Sequence, residues 1–197
     1  LRRRAGSMDV TGVEGLDNIA VTATIVVPNT NEKDALKIIG EKMTLSLEEK
    51  GRQGQLKAWF DQGFFGKAAD AHIALEVMVP QGLTVHIDDG SGSLDVIDVA
   101  GDVVIDDGSG SINVSNVINL RIDDGSGSID IAGASGDVSI IDGSGSITVK
   151  HVQGSVTIDD GSGSIKVSDV EKDLIIVDDG SGGLSISDVR GEVDAES

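Results

Sequence analysis

A six-residue motif, Asp-Asp-Gly-Ser-Gly-Ser, recurs six times between residues 88 and 183 of this 197-residue chain. The Gly-Ser-Gly core and the second Asp are present in every copy, whereas the first Asp is replaced once by Ile and the closing Ser once by Gly183. Self-similarity at this period is typical of solenoids, in which each repeat forms one coil that stacks on the next. The copies are spaced 17 to 19 residues apart and begin at Asp88, Asp106, Asp123, Ile141, Asp159 and Asp178.

The apolar residues between the motifs also recur in fixed places. Each motif is followed by two aliphatic residues in alternate positions, a third at a bend, and two more after it. In the first copy these five residues are Leu94, Val96, Val99, Val103 and Ile105. Short β-branched segments between Gly-rich turns predict strands. We therefore predict an all-β fold, a single-stranded parallel β-helix or β-solenoid of about 18 residues per coil around an aliphatic column. The chirality of parallel crossovers favours a right-handed path.

Three segments are expected in one structural domain. Residues 1–28 resemble a degenerate N-terminal coil, residues 29–80 interrupt the repeat as a small α+β capping insertion, and residues 81–197 form the six-repeat solenoid. In the first segment, five apolar residues have the spacing of the first clear repeat, namely Met8, Val10, Val13, Ile19 and Val21. We expect its last strand to continue through Val27. The C-terminal end of the solenoid has no evident cap, so it is a candidate surface for homo-oligomer formation.

The capping insertion combines helical and strand patterns. Asn31 followed by Asp34 is a helix start signal, and apolar residues at helical spacing follow it as far as Met43. Alternating apolar residues predict strands over 44–48, 55–60 and 71–79. A cap of this kind would cover the terminal coil, whose open sheet edge otherwise invites aggregation.

All four aromatic residues of the chain lie in this insertion, within seven positions: Trp59, Phe60, Phe64 and Phe65. They are expected either to plug the end of the solenoid or to form a contact surface for a partner, since exposed apolar patches mark contacts. Trp59 and Phe60 are adjacent in a predicted strand and should point to opposite faces.

Charge is distributed unevenly. Residues 81–197 carry 23 acidic and 5 basic residues of a chain whose net charge is −19, whereas residues 1–80 are nearly neutral. An acidic surface repels nucleic acid and favours cations or basic partners. No apolar run approaches the roughly 20 residues of a membrane-spanning helix. We therefore expect a protein or cell-surface partner, no nucleic acid and no membrane span in this chain.

The two aspartates of the motif suggest different roles. The second Asp lies at the corner, where its side chain can accept hydrogen bonds from turn amides, so structural turn caps are expected at Asp89, Asp107, Asp124, Asp142, Asp160 and Asp179. The first Asp faces outward, and stacked carboxylates about 4.8 Å apart repel one another unless a cation lies between them. Calcium, a hard cation with oxygen ligands, is the alternative, with metal ligands at Asp88, Asp106, Asp123, Asp159 and Asp178.

Signals for catalysis are weak. His72, His86 and His151 fall on different predicted elements and have no nucleophile at motif spacing. A Gly-Ser-Gly turn that is copied six times does not single out one nucleophile, and neither a Lys nor a helix follows it as in a phosphate-binding loop. The sequence therefore predicts a protein without catalytic residues or a required cofactor.

The pattern Gly-Ser-Gly-Ser-Ile-x-Val-x-x-Val-x-Gly-x-Val-x-Ile, and the segment from Val77 to Leu83 that leads into it, resemble a bacterial adhesin family of β-solenoids related to the head-GIN type of autotransporter adhesin. The resemblance covers about residues 6–193. It implies a non-enzymatic structural or interaction module of the bacterial cell envelope and supplies no catalytic residues. The resemblance also implies an extracytoplasmic location, periplasmic or at the cell surface. Because Leu1-Arg2-Arg3-Arg4 is not followed by an apolar run, the signal or anchor for this location is expected outside this chain.

Overall fold

The structure is a computed structural model that describes residues 6–50, 53–61 and 70–195. The elements before the repeats are β1 (Gly6–Val13), β2 (Ala20–Val26), α1 (Glu32–Lys42), β3 (Met43–Lys50), β4 (Gln53–Phe60) and β5 (His72–Pro80). The repeats contribute short strands β6 (Val85–Asp89), β8 (Val103–Asp107), β10 (Leu120–Asp124), β12 (Val138–Asp142), β14 (Val156–Asp160), β16 (Leu174–Asp178) and β18 (Val193–Ala195). The longer strands that alternate with them along the chain are β7 (Gly92–Ile97), β9 (Gly110–Val117), β11 (Gly127–Ala134), β13 (Gly145–Val152), β15 (Gly163–Val170) and β17 (Gly182–Val189).

The predicted β-solenoid is confirmed. The short strands form a seven-stranded sheet in the order β18-β16-β14-β12-β10-β8-β6, in which every neighbouring pair is parallel. The alternating strands run in a nine-stranded sheet, ordered β17-β15-β13-β11-β9-β7-β1-β5-β2. Each coil therefore contributes one strand to each sheet, and coils of about 18 residues stack into a solenoid of about six turns.

In-register stacking explains the core. Ile129 lies between Ile112 and Ile147 in neighbouring strands, and Ile122 lies between Ile105 and Ile140. All of these side chains are at most 1% exposed. Strand alternation directs every second side chain of both sheets into the space between them. The same aliphatic types on each coil thus bury a continuous column that no single coil could bury alone.

The N-terminal strand occupies the place predicted for it, but the next strand does not. β1 is parallel to β7, with Met8 opposite Leu94 and Val10 opposite Val96. Residues 19–27 were expected to return in the facing sheet as a coil does, and this expectation is wrong. β2 instead runs antiparallel to β5, with Val21 opposite Val77, at the end of the nine-stranded sheet.

The insertion contains the predicted helix and strands. Asn31 caps α1 by accepting a hydrogen bond from the Asp34 amide at 3.0 Å. β3 and β4 form an antiparallel two-stranded sheet whose inner residues, among them Leu56, Ala58 and Phe60, pack against the core. The predicted strand over 71–79 is β5, which pairs with β1 and so belongs to the nine-stranded sheet. One strand of the insertion is thus part of the solenoid wall.

Candidate functional site

The second aspartate of each motif is turned into the protein at the end of a short strand. In β10 the inward residues are Leu120, Ile122 and Asp124, so alternation that buries the aliphatic side chains buries the carboxyl group as well. Five of these aspartates are at most 8% exposed: Asp89, Asp107, Asp124, Asp142 and Asp160.

Turn amides partly satisfy these carboxylates. The Asp124, Asp142 and Asp160 carboxylates accept from the amides of Ser126, Ser144 and Ser162 at 3.1 to 3.2 Å. Asp89 accepts from the Gly90 amide at 2.9 Å. The motif therefore folds as a turn in which the buried side chain bonds the backbone of the residues that follow it.

One carboxylate oxygen is buried without a hydrogen-bond partner in four of these aspartates. Among the described residues, no hydrogen bond reaches Oδ1 of Asp107 or Oδ2 of Asp124, Asp142 and Asp160. Burial, more than any neighbouring charge, raises the pKa of all four groups. Burial raises the pKa of Asp124 to about 6, since burial and the charge of Asp107 together outweigh the hydrogen bonds from the turn amides. A buried oxygen without a donor is costly, so these groups favour a bound proton or cation.

The first aspartates form a ladder on the outer surface. Asp88, Asp106 and Asp123 are exposed and stacked in register, Ile141 interrupts the ladder, and Asp159 follows it. In the described part of the chain, no group of three or more His, Cys, Asp or Glu side chains is placed to hold a metal ion. The buried carboxylate oxygens that lack partners belong to inner aspartates, for which structural roles were expected.

The sixth motif departs from the others. The register between β14 and β16 shifts at Ile158 and Asp159, which brings Asp178 opposite Asp159 and leaves Val177 exposed. The shift accommodates the extra residue of the 19-residue spacing. Here the Asp178 carboxylate accepts from the Gly180 amide at 2.8 Å, and Asp179, which was expected in this role, is half-buried.

The opposite side of each coil carries a second ladder that the sequence analysis missed. Near the end of each of the six long strands of the repeats, one residue adopts a positive φ, between 55° and 59° at five positions and 96° at Gly133; these strands are β7, β9, β11, β13, β15 and β17. The Asn116 side chain donates to the Asp98 carboxylate at 2.8 Å, and Nδ1 of His151 lies 2.6 Å from the Asp169 carboxylate. The signal was present in the repeat, since this position holds only residue types that tolerate a positive φ: Asp98, Asn116, Gly133, His151, Asp169 and Asp188.

A third ladder precedes the short strands. The Asn119 side chain donates to Asp102 at 2.8 Å and accepts from the Asp137 amide at 3.0 Å. The Asp137 and Asp173 carboxylates accept from the amides of Ser155 and Glu192, each at 2.9 Å. Part of the acidity of the repeats therefore serves bonds between neighbouring coils.

The aromatic residues are only partly described. Trp59 and Phe60 are half-buried at the end of β4, and Phe60 packs against the core. Phe64 and Phe65, the other members of the predicted contact surface, lie outside the described residues. The three histidines lie on β5, β6 and β13 and do not share a site, and His72 bonds the Asp70 carbonyl with Nδ1 at 3.0 Å.

A groove of about 860 Å³ runs between β4 and β6. Its floor is formed by β1 and β5, with Met8, Val10, Leu75 and Val77, and its rims by residues 53–59 and 83–88. At the other end of the molecule the last coil is uncovered, and Leu184 and Val193 are exposed although the equivalent residues of earlier coils are buried.

Comparisons of the chain with protein-family models, curated proteins and solved structures gave no match. The only helix in the described ranges, α1, is too short and too polar to cross a membrane.

Proposed function

We propose that the chain is a non-enzymatic structural and interaction module of the bacterial cell envelope, with an adhesin-like role outside the cytoplasm. The observation that supports this proposal best is the in-register repetition of the coils. Because each surface position recurs on the next coil, the rod presents ladders of like groups, such as Asp88, Asp106 and Asp123. Such a surface suits a partner that is itself repetitive or basic, since several weak contacts then act together.

The close packing of the column supports the same proposal. The inward aliphatic residues of the repeats from Leu94 to Ile176 are at most 3% exposed, so the interior holds the surface in place and offers no cleft there. The resemblance to bacterial adhesin solenoids points in the same direction.

Surface proteolysis of intact cells tests this proposal. In the bacterium that encodes the chain, proteinase K added to intact cells should release peptides of the solenoid, or should do so once the outer membrane is permeabilised. A cytoplasmic protein followed in the same samples should stay intact until lysis. Solenoid peptides that appear only together with this cytoplasmic control would contradict an envelope location.

Calcium binding is a second candidate function. It is favoured by the partnerless buried oxygens of Asp124 and Asp142 and by the outer carboxylate ladder, because calcium prefers oxygen ligands. The test is a thermal melt in millimolar calcium, compared with a melt in excess chelator at matched ionic strength. Calcium at 100 times its dissociation constant should add about 2.7 kcal/mol to the free energy of unfolding.

Variants identify the ladder involved. If the outer ladder binds calcium, the double change Asp106→Asn and Asp123→Asn should abolish the calcium-specific shift. Asp130→Asn, at an exposed position on the other sheet, should leave the shift intact. A shift that magnesium or sodium reproduces would reject a calcium site.

A further inference from the structure

The two sheets of the solenoid differ in extent at the N-terminal end. Beyond β7 the nine-stranded sheet continues with β1, β5 and β2, whereas the facing seven-stranded sheet stops at β6. The strand that would follow β6 was expected from residues 19–27, which instead form β2 against β5. The seven-stranded sheet therefore lacks a strand opposite β1, and the groove lies at this position.

The backbone of β6 presents a free edge to the groove. Within the described residues β6 pairs only with β8. The Val85 amide donates to the Asp102 backbone carbonyl, and the Asp89 carbonyl accepts from the Gly108 amide, so Val85 and Asp89 both face the neighbouring coil. Successive residues of a strand direct their amide and carbonyl groups to opposite edges, so those of His86 and Asp88 face the groove.

Burial along β6 shows the same missing neighbour. Val85 is half-buried. The equivalent residues of the following coils, which have a strand on each side, are at most 3% exposed: Val103, Leu120, Val138, Val156 and Leu174. The groove volume of about 860 Å³ falls within the usual range for binding clefts, about 300–1,000 Å³. At about 3.3 Å per residue, β6 offers an edge of roughly 17 Å.

The repeats themselves show which side chains fit this position. A strand beside β6 places alternate residues against Met8 and Val85, which line the groove and are half-buried, at a position where the solenoid elsewhere uses Val, Leu and Ile. The residues between them point outward beside Asp88, which is exposed and has no ion pair among the described residues. A lysine or arginine there meets an unpaired carboxylate on a chain of net charge −19. A second copy of this acidic chain is a poor occupant, since its exposed edge strand β18 carries Asp194 outward.

We propose that this groove binds an extended peptide segment of a partner protein, which adds a strand to β6. The bound segment alternates aliphatic residues, which pack against Met8 and Val85, with basic residues, one of which lies beside Asp88. Main-chain hydrogen bonds to His86 and Asp88 supply affinity, and the alternation supplies specificity, as in other cases of strand addition to a sheet edge. This inference rests on the proposed function as an interaction module and names the chemistry of its partner.

The test uses a synthetic heptapeptide, acetyl-KVKVKVK-amide, and its isomer acetyl-KKKVVVK-amide. The two have the same charge and composition, so attraction of basic peptides to an acidic rod is equal for both. At 150 mM salt the alternating peptide should bind with a dissociation constant at least tenfold lower. It should also slow hydrogen exchange at the His86 and Asp88 amides at least tenfold, and leave exchange of the Val85 and Ile87 amides, which already face β8, unchanged.

Two charge-reversal variants localise the site. Asp88→Lys should weaken binding of the alternating peptide at least fivefold, whereas Asp123→Lys, the same change two coils away, should alter it less than twofold. Equal binding of the two isomers, or unchanged exchange at His86 and Asp88, would overturn the proposal. Protection of these amides that rises with protein concentration without peptide would assign the groove to a second copy and also overturn it. Surface proteolysis is independent of these results, so failure of the envelope function is distinguishable from failure of the groove.

Discussion

Stacked glycines of the Gly-Ser-Gly turn set how closely successive coils approach. At Gly127 φ is +145°, and an added Cβ would lie 1.6 Å from the Gly110 carbonyl oxygen of the preceding coil. The obstacle is backbone, which cannot move aside as a flexible side chain can. Both the conformation and the space at this position therefore require glycine.

Gly127→Ala should reduce the free energy of unfolding by at least about 3 kcal/mol, since it combines backbone strain with a clash in the ladder. Urea unfolding followed by circular dichroism measures the loss. Gly183→Ala is the matched control, because nothing lies within 4 Å of its added Cβ. This variant should stay within about 0.5 kcal/mol of the parent. Equal stability of the two variants would show that the coils are farther apart than the structure has them.

The buried aspartates make stability depend on pH. The pKa of Asp124 is raised from the usual 3.8 to about 6, so between these pH values the folded protein binds more protons than the unfolded chain. The free energy of unfolding contributed by this group therefore falls as pH rises through the window.

Asp124→Asn should raise the free energy of unfolding above pH 6, on the order of 1–2 kcal/mol, because the buried charge is gone. The gain should shrink toward zero below pH 4. Urea unfolding at pH 4, 6 and 8 measures it. Asp123→Asn, a change at the exposed neighbour, should stay within about 0.5 kcal/mol of the parent at each pH. An Asp124→Asn protein that is less stable than the parent at pH 8 would indicate that the folded protein needs this charge.

At the scale of the element, the long strands end in a corner that a regular strand cannot make. One residue near the end of each has a positive φ, and the next inward aliphatic residue, such as Val117 or Val152, is again buried. This local change of direction lets eight-residue strands close into a coil. It also explains the residue types found there, since Asn, Asp and Gly adopt this conformation at low cost.

Asn116→Val should lower the free energy of unfolding by about 1–2 kcal/mol, the cost of a left-handed conformation for a residue with a branched Cβ. Asn113→Val is the control. Both Asn side chains are exposed and donate to an Asp of the preceding coil, at 2.8 and 2.9 Å, but Asn113 lies in regular strand. Thermal and urea unfolding compare the two. A loss as large for Asn113→Val as for Asn116→Val would assign the effect to the hydrogen bond.

At the scale of the whole molecule, the dominant feature is unbalanced charge along a narrow column. The chain carries 34 acidic against 15 basic residues, and most of the excess lies in the repeats. Hydrogen bonds between neighbouring coils use several of these groups, but the outer carboxylates remain next to one another. Repulsion of this kind opposes the compact state and is screened by salt.

Raising sodium chloride from 20 to 500 mM at pH 7.5 should therefore raise the melting temperature by several degrees. Scanning calorimetry or circular dichroism measures the shift. Near pH 4.2, the isoelectric point calculated from the sequence, net repulsion is absent and the same salt should have little effect. A salt effect of equal size at both pH values would point to general solvent effects instead of charge repulsion.

The sequence by itself determined the coil, its register and its core. A period of 17 to 19 residues permits one register in which Gly127 pairs with Gly110 and Ile129 with Ile112. A shift of this register by one residue would expose the aliphatic face. The burial of the second aspartate follows from the same alternation. The pairing of Met8 with Leu94 could be predicted for the same reason, because the spacing of apolar residues is a local property of the sequence and stacked coils share it.

Only the tertiary structure decided which distant strands become neighbours. Ile19 and Val21 have the spacing of a returning strand, yet β2 pairs with β5, and β1 lies between β5 and β7. Local sequence patterns predict which face of a strand is apolar. Which strand becomes its neighbour depends on the sheet edges that are open once the chain has folded. Pairing β2 with β5 covers the edge of the nine-stranded sheet and leaves β6 without a second neighbour. The groove, and the function inferred from it, follow from that choice.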